Sequence, residues 1–287
     1  MSKASLSILI PTYNGVCTKL VHDLYEQAER LGVDYEILVA DDGSTQQEAI
    51  AANRSINVLP HCRFIECSEN RGRAAIRNFL AEQSQYPWLL FIDCDMVVCR
   101  QDFIQQYITT ACETIVDGGV VIGKVLSGNL RSMYEKAHEQ EHTVERRLAS
   151  PYRDFHTANF LIRRDIMLQC PFDIRYRHYG YEDVLFGKQM ETKQIPILHI
   201  DNPLSFETFE TNAEFISKTE EGLRTLHQFH DELKGYSRLL DTTERVPKGL
   251  VRLWHRLFGK WERRQLTGSR PNLLVFNLYK LGYFVSL

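Results

Sequence analysis

Four short strand-like runs fall within the first hundred residues, and each stops at polar or glycine-bearing sequence. That rhythm leaves few folds open. The run at 6–11, Leu-Ser-Ile-Leu-Ile-Pro, gives way to Thr12-Tyr13-Asn14-Gly15. Leu20, Val21, Leu24, Tyr25, Ala28 and Leu31 then recur at helical spacing, with Gly32 placed as a C-cap. A second run at 35–40 ends in Asp41-Asp42-Gly43-Ser44 and leads into a helix bearing Ala49, Ile50 and Ala51. A third at 63–67 leads through Asn70-Arg71-Gly72 into a helix over 73–83. The fourth, Trp-Leu-Leu-Phe-Ile at 88–92, is apolar throughout and reads as a strand buried on both faces. Strand and helix alternating in this way predict a mainly parallel sheet with helices on both sides. Crossovers of one hand then bring every strand's carboxyl end to the same rim.

The rim is where chemistry is expected. Asp93 and Asp95 leave the fourth strand two residues apart, so their carboxylates point to one side. Two anions so close call for a positive object between them, and a hard divalent cation carrying phosphate fits. Capping of the next helix is the structural alternative for this pair. Asp42 is placed to accept hydrogen bonds from a base or ribose, Tyr13 to flank a planar ring, and Arg77 to reach a phosphate. A plain turn with an N-cap also accounts for Asp41-Asp42-Gly43-Ser44. No G-x-G-x-x-G follows the first strand, which disfavours dinucleotide binding of the usual kind.

Beyond the fourth strand, a helix is expected over 103–115 and a strand over 119–123. Residues 131–149 are rich in charge and helix formers. His138 and His142 lie one turn apart there and read as a solvated face, with no third metal ligand nearby. Glu182 and Asp183 open a helix, and a carboxylate at a helix N-terminus is favoured as the anion. Tyr179 and Tyr181 offer flat faces for a sugar or serve as buried tyrosines. His199 sits in an apolar strand, the usual setting of a core histidine. Near the end, Leu250, Leu253, Trp254, Leu257, Phe258 and Trp261 share one helical face, with Arg252, Arg256, Lys260 and Arg263 opposite. A helix lying on an anionic bilayer and a docked helix with a basic outer face both fit that pattern.

Bulk properties bound the partners. A net charge of −3 gives no reason to expect nucleic acid. The 7 cysteines form no C-x-x-C pair and read as reduced thiols of a cytoplasmic protein. The run at 6–10 is too short for a signal peptide, and no apolar run is long enough to cross a bilayer.

Taken in order, Ser7-Ile-Leu-Ile-Pro-Thr-Tyr-Asn14, Asp41-Asp-Gly-Ser44, Asn70-x-Gly72 with Arg77-Asn78, and Leu90-Phe-Ile-Asp-Cys-Asp95 resemble family 2 glycosyltransferases over about the first two hundred residues. The resemblance implies an α/β fold of GT-A type: a mostly parallel nucleotide-binding sheet flanked by helices, with a helical C-terminal extension. It divides the chain into a glycosyltransferase domain at 1–210, with a nucleotide-binding half at about 1–98 and an acceptor half at about 99–210, and a basic helical extension at 211–287. The implied activity is inverting transfer from a nucleotide diphosphate sugar, a UDP-sugar, to the hydroxyl of a saccharide or lipid-linked acceptor, in surface polysaccharide or glycoconjugate synthesis. Pro11, Thr12, Tyr13, Asn14, Asp42, Gly72, Arg77, Asp93 and Cys94 would hold the donor. Asp95 would bind Mn²⁺ or Mg²⁺ directly, and Asp93 partly through the ribose or a water. Asp183 matches the general base, Glu182 would orient the acceptor, and His156, Asn159, Tyr179 and Tyr181 would line its site. Where many relatives carry a third metal ligand, a histidine, this chain has Phe206-Glu207. Glu207 or His199 is then the candidate. Peripheral membrane contact would run through 245–287. Two other readings remain: a sugar-nucleotide-binding protein without catalysis, and a phosphatase of the haloacid dehalogenase type with Asp93 as nucleophile.

Overall fold

Apolar runs bounded by turn residues become the strands of one large sheet. The structure is a computed structural model and describes residues 5–110 and 114–287. The first half alternates as expected: β1 (Ser5–Thr12), α1 (Thr18–Leu31), β2 (Asp34–Asp41), α2 (Gln47–Asn53), β3 (Cys62–Glu66), α3 (Arg73–Gln83) and β4 (Trp88–Ile92). Then follow β5 (Met96–Val97), α4 (Phe103–Thr110), β6 (Ile115–Asp117), β7 (Val120–Ile122), α5 (Leu130–His138), α6 (Val144–Ala149), β8 (Asn159–Arg163), α7 (Arg164–Gln169), α8 (Glu182–Thr192), β9 (Ile197–His199) and β10 (Leu204–Phe206). The chain closes with α9 (Asn212–Gln228), α10 (His230–Leu233), α11 (Arg238–Thr243), α12 (Lys248–Leu266) and α13 (Leu273–Ser286).

The large sheet has the order β3-β2-β1-β4-β8-β6-β9. β1 to β4 pair in parallel, as do β6 and β9, whereas β8 runs antiparallel to both its neighbours. A second sheet, β5-β10-β7, stands beside it. Both faces of the large sheet are covered. Ile8, Ile10, Leu90 and Ile92 pack toward α1 and α4, while Leu9, Leu89 and Phe91 pack toward α3, α7 and α8. Phe91 and Phe160, paired across β4 and β8, stack at 4.9 Å. Full burial of each such side chain contributes about 1.5–3 kcal/mol, so this layer holds the rim above it rigid.

The antiparallel turn of β8 matters for function. Ile92 pairs with Asn159, and Asp93 donates its N–H to Ala158 O at 3.1 Å. The residues just before β8 are thereby delivered to the rim where β4 ends.

Two expectations need correcting. The helix predicted over 103–115 ends at Thr110; residues 111–113 lie outside the described residues, and Ile115 belongs to β6. Ile115 and Val116 are fully buried and β-branched, and pairing with β8 claims them for the sheet. The helical stretch expected at 131–149 is broken by a 3-10 turn at 139–141, so His138 and His142 do not share a helix. Among the described residues no helix is long and apolar enough to cross a membrane.

Candidate active site

The carboxyl ends of β1, β2 and β4 and the start of α3 enclose a cavity of about 460 Å³. Pro11, Thr12, Tyr13, Asp42, Gly72, Arg77, Asp93, Cys94 and Asp95 all line it, so eight of the nine predicted donor residues meet there together with Asp95. Asp42 is buried, and its two oxygens accept the N–H groups of Arg71 (2.7 Å) and Gly72 (3.0 Å). Burial raises its carboxyl above the usual range against the pull of those two amides. Gly72 adopts φ +89°, and a Cβ there would lie 2.5 Å from Arg177 O. Only glycine fits both demands. Tyr13 keeps half its surface open to the cavity mouth.

Asn14 is the ninth, and it lies elsewhere. Its Oδ1 accepts the N–H groups of Thr45 (2.8 Å) and Gln46 (3.0 Å), and its own N–H is donated to Ser44 Oγ. It staples the loop after β1 to the loop after β2 instead of facing a ligand.

A second cavity, of about 370 Å³, opens on the other side of Asp93 and Asp95. Asp183 and His156 line it, with His142, Glu135, Glu139, Glu210 and Arg131. Arg73, Asp93, Asp95, Tyr179 and Lys218 are common to both cavities and form the wall where they meet. Cations flank the Tyr179 ring, Arg73 at 5.4 Å and Lys218 at 5.9 Å. Asp183, in the first turn of α8, accepts Val184 N–H at 2.8 Å and faces His156 Nδ1 at 3.9 Å. Burial opposes its charge, but His156, Val184 N–H and Arg73 more than offset this and hold the carboxyl below its usual range. The same contact raises His156 despite its burial. His142 Nδ1 lies 3.2 Å from His156 Nε2, and burial with that neighbour lowers it to about 4. The contact thus favours the charged form of each partner, the imidazolium of His156 and the carboxylate of Asp183.

Beneath the wall two arginines and two acids interlock. Arg77 is 2% exposed; its Nη2 reaches Asp93 Oδ1 at 2.5 Å, its Nη1 donates to Arg73 O at 3.1 Å and stands 3.6 Å from Glu182. Arg73 donates Nε to Glu182 Oε1 at 2.7 Å and lies 3.7 Å from Asp93. Arg77 thus lines the first cavity while already paired with Asp93 and standing close to Glu182. Buried Glu182 holds these two arginines and is not among the residues lining either cavity. Arg73, at the first position of α3, lines both cavities, as does Lys218.

Of the predicted acceptor residues, Tyr179 and His156 line the second cavity, and Asn159 and Tyr181 do not. Asn159 is buried; its amide donates to Gly119 O (2.8 Å) and Asn202 O (2.9 Å) and accepts from Tyr107 Oη (2.7 Å). Those bonds tie β8 to the second sheet. Tyr181, at φ +69°, packs against the cluster formed by Tyr176, Leu185 and Leu223.

Neither candidate third ligand joins the two aspartates. His199 is buried, with Nε2 donating to Pro151 O at 2.8 Å and Nδ1 facing Arg147 Nη1 at 3.1 Å. Glu207 accepts Ser205 Oγ–H at 3.0 Å and lines neither cavity. Among the described residues no three His, Cys, Asp or Glu side chains come together as a metal-holding group. The chemistry of Asp95 still fits a hard cation. It opens onto both cavities and takes part in none of the ion pairs that hold Asp93. Crowding by the groove walls and the Asp93 charge raise it to about 6, although the residue keeps an exposed surface. Mg²⁺ and Mn²⁺ are commonly bound by one or two carboxylates, with phosphate and water completing the shell.

Several residues were not singled out from sequence. Arg73 had a usable signal, since the first turn of a helix that follows a rim glycine must lie at the rim. Arg131, Glu135, Glu210 and Lys218 had none, because α5, α9 and the loop ahead of α9 reach the groove only through tertiary packing. Lys218 lies on α9, beyond the boundary expected at 210, so the groove draws on both sides of that boundary.

Known proteins share both sequence and fold. The family model described as Glycosyl transferase family 2 matches residues 7–169. Chondroitin synthase from Escherichia coli is 25% identical over 222 residues, 64% of this chain and 32% of that protein. The chain thus spans about a third of that curated relative. A mannosyltransferase from Pyrobaculum calidifontis, solved with GDP-Man and Mn²⁺, superposes with a TM-score of 0.62 at 13% identity, covering 98% of this chain and 84% of the other. S. aureus TarS 1–349 with UDP-GlcNAc superposes with a TM-score of 0.53 at 15% identity, covering 98% and 90%. Both likenesses are of fold.

Proposed function

The chain belongs to glycosyl transferase family 2, and from that premise we propose that it moves a sugar, with inversion, from a nucleotide diphosphate sugar to an acceptor hydroxyl. A UDP-sugar is the proposed donor, and a saccharide or lipid-linked glycan in surface polysaccharide or glycoconjugate synthesis the proposed acceptor. The observation that carries the reading is the pair of cavities meeting at Asp93, Asp95, Arg73, Tyr179 and Lys218. One holds Tyr13, Asp42 and Gly72 on the side suited to a nucleotide, and the other holds Asp183. A base on one side of the shared wall and a leaving diphosphate on the other is the disposition in-line displacement requires.

In the proposed mechanism the acceptor oxygen attacks the anomeric carbon while the bond from that carbon to the diphosphate oxygen breaks. The hydroxyl proton passes to Asp183, which His156 and the start of α8 keep ionised before transfer. Arg73 and Lys218, on the shared wall, oppose charge gathering on the departing nucleoside diphosphate. Asp95, with Asp93 behind it, would hold Mn²⁺ or Mg²⁺, whose chemistry there is Lewis-acid neutralisation of the diphosphate. Tyr13 is proposed to flank the base and Asp42 to fix the loop beneath it.

We retain residues 1–210 as the proposed catalytic unit, with α9 lending Lys218 to it, and a cytoplasmic location on the cysteine pattern. Any bilayer contact would be peripheral and through 245–287. A phosphatase with Asp93 as nucleophile is disfavoured by family and by contacts, since Arg77 and Arg73 hold that carboxylate. A donor-binding protein without catalysis gives no role to the half-buried His156–Asp183 pair that lines the second cavity.

Asp183→Asn tests the mechanism. Transfer from UDP-sugars to saccharide acceptors with Mn²⁺ should fall about 10²–10⁴-fold, the usual contribution of a general base. UDP affinity by titration calorimetry should stay within about twofold, a shift of under roughly 0.5 kcal/mol. Turnover within tenfold of the parent would remove Asp183 from the reaction.

A further inference from the structure

The six apolar residues that share one face of α12 turn outward. Leu250 is 66% exposed, Leu257 65%, Trp261 58%, Leu253 53%, Trp254 45% and Phe258 40%. The helix docks instead through Gly259, Glu262 and Leu266, which are buried, and through Arg252, which donates to Val285 O. Counting 100° per residue, the docked positions and the centre of the apolar stripe lie on opposite sides of the helix. The stripe leaves on the order of 600 Å² of mostly apolar surface open, at the upper end of the largest patches on soluble monomers. α13, antiparallel to α12 on its docked side, exposes Leu274 and Leu278 of its own.

The charge beside the stripe identifies the occupant. α12 carries Lys248, Arg252, Arg256, Lys260, Arg263 and Arg264; of these Arg252 is engaged by Val285 O and Arg263 by Glu220 at 2.8 Å, which leaves Arg256, Lys260 and Arg264 exposed and, among the described residues, unengaged toward the stripe's edge. Its one acid, Glu262, is buried where it accepts Trp254 Nε1–H at 2.8 Å. No acidic side chain of α12 therefore reaches its exposed surface. We propose that this face of α12 lies in the headgroup layer of an anionic lipid bilayer. Its leucines and tryptophans would enter the acyl boundary while Lys260 and Arg264 at the stripe's edge, and Arg256 just beyond it, meet lipid phosphates. A second copy of the chain fits less well, because a twofold contact sets the patch against itself and brings its cations together. The proposal does not depend on the transfer chemistry proposed above, and its test uses no enzymatic readout.

The experiment is co-sedimentation of the full chain with vesicles of phosphatidylcholine alone or with about 30% phosphatidylglycerol. Tryptophan emission is followed in parallel; two of the 3 tryptophans lie on the exposed face of α12. Expected are binding to the anionic vesicles, a blue shift on binding, and release at high salt. Arg256→Gln with Lys260→Gln should weaken binding about thirtyfold, from roughly fivefold for each cation near the surface. Leu257→Ser with Trp261→Ser should weaken it by about a hundredfold or more. Because all four residues are exposed, the thermal melt should not move. Absence of vesicle binding, or equal and salt-insensitive binding to both vesicles, overturns the proposal. So does self-association in solution, without lipid binding, that Leu257→Ser with Trp261→Ser abolishes.

Discussion

Replacing Arg77 with methionine tests the support of the groove most directly. The substitution keeps much of the aliphatic volume and removes a guanidinium that is 2% exposed. What it leaves behind is unequal. Asp93, with 20% of its side chain exposed, retains Arg73 at 3.7 Å and some water. Glu182, 3% exposed, retains Arg73 at 2.7 Å but loses the second cation. Removing one partner of a buried ion pair costs about 3–5 kcal/mol, chiefly because the other charge stays desolvated and unpaired. A smaller effect opposes this. Nε of Arg77 has no hydrogen-bond partner among the described residues, and losing an unsatisfied buried donor returns about 1 kcal/mol. The expected net loss is therefore about 2–4 kcal/mol, or roughly 3–7 °C in Tm for a chain of this size.

Urea denaturation of parent and variant measures that loss directly, with the slope checked for constancy. Arg54→Met is the control, since its bridge to Glu66 joins side chains 57% and 42% exposed and should not shift the midpoint measurably. Adding Glu182→Gln to Arg77→Met should recover part of the loss, because the unpaired buried charge is then gone. A loss below about 1 kcal/mol for Arg77→Met, or no recovery in the double variant, would refute the account of the buried pair.

Two further outcomes follow from geometry. His156→Gln removes the cation that holds Asp183 below the usual carboxylate range, so the Asp183 carboxyl should rise. Since the base acts as the anion, activity lost on acidification should then be lost at higher pH, and an acid limb of kcat/KM that does not move counts against the pairing. The same contact has a stability signature. The lowered Asp183 contributes stability that is present above its ordinary 3.8 and lost as pH falls through its folded value. The raised His156 contributes stability that is full below its ordinary 6.5 and lost as pH rises through its folded value. Gly72→Ala puts a Cβ at φ +89° and 2.5 Å from Arg177 O, which should cost about 1–3 kcal/mol and weaken UDP binding about tenfold. Gly249→Ala, with nothing within 4 Å, should cost nothing; equal effects of the two in thermal melts and UDP titration would dismiss the strain.

The first cavity was legible because it is made of strand ends. Apolar runs bounded by turn residues fix where β1, β2 and β4 stop, and the single hand of the crossovers fixes that they stop together. Pro11 to Tyr13, Asp42, Gly72 and Asp93 to Asp95 needed nothing more to be gathered. Asn14 shows the limit of that logic. A residue at a strand end can serve the neighbouring loop as easily as the ligand, and its hydrogen bonds to Thr45 and Gln46 decide which. The helix expected over 103–115 failed for a related reason. A short buried run such as Ile115-Val116 suits helix and sheet equally, and pairing with β8 settles it.

Depth below the rim is the property that helical periodicity alone did not yield. Arg73 and Arg77 are four residues apart on α3, so helical periodicity sets them on one face and cannot choose between them. The choice is made by distance from the helix start. Arg73 opens the first turn, level with Asp95, whereas Arg77 sits one turn lower, under Asp93 and against Glu182. The same reasoning separates Asp183 from Glu182, adjacent residues that a helix points in directions about 100° apart. One faces His156 across the second cavity, and the other is drawn under the wall by Arg73 and Arg77. An acid at a rim is therefore ambiguous until its counter-ions are known, because a buried arginine converts a candidate ligand into a support. Asp95 escapes that conversion, and this is the physical ground for giving it, rather than Asp93, the direct contact with a cation.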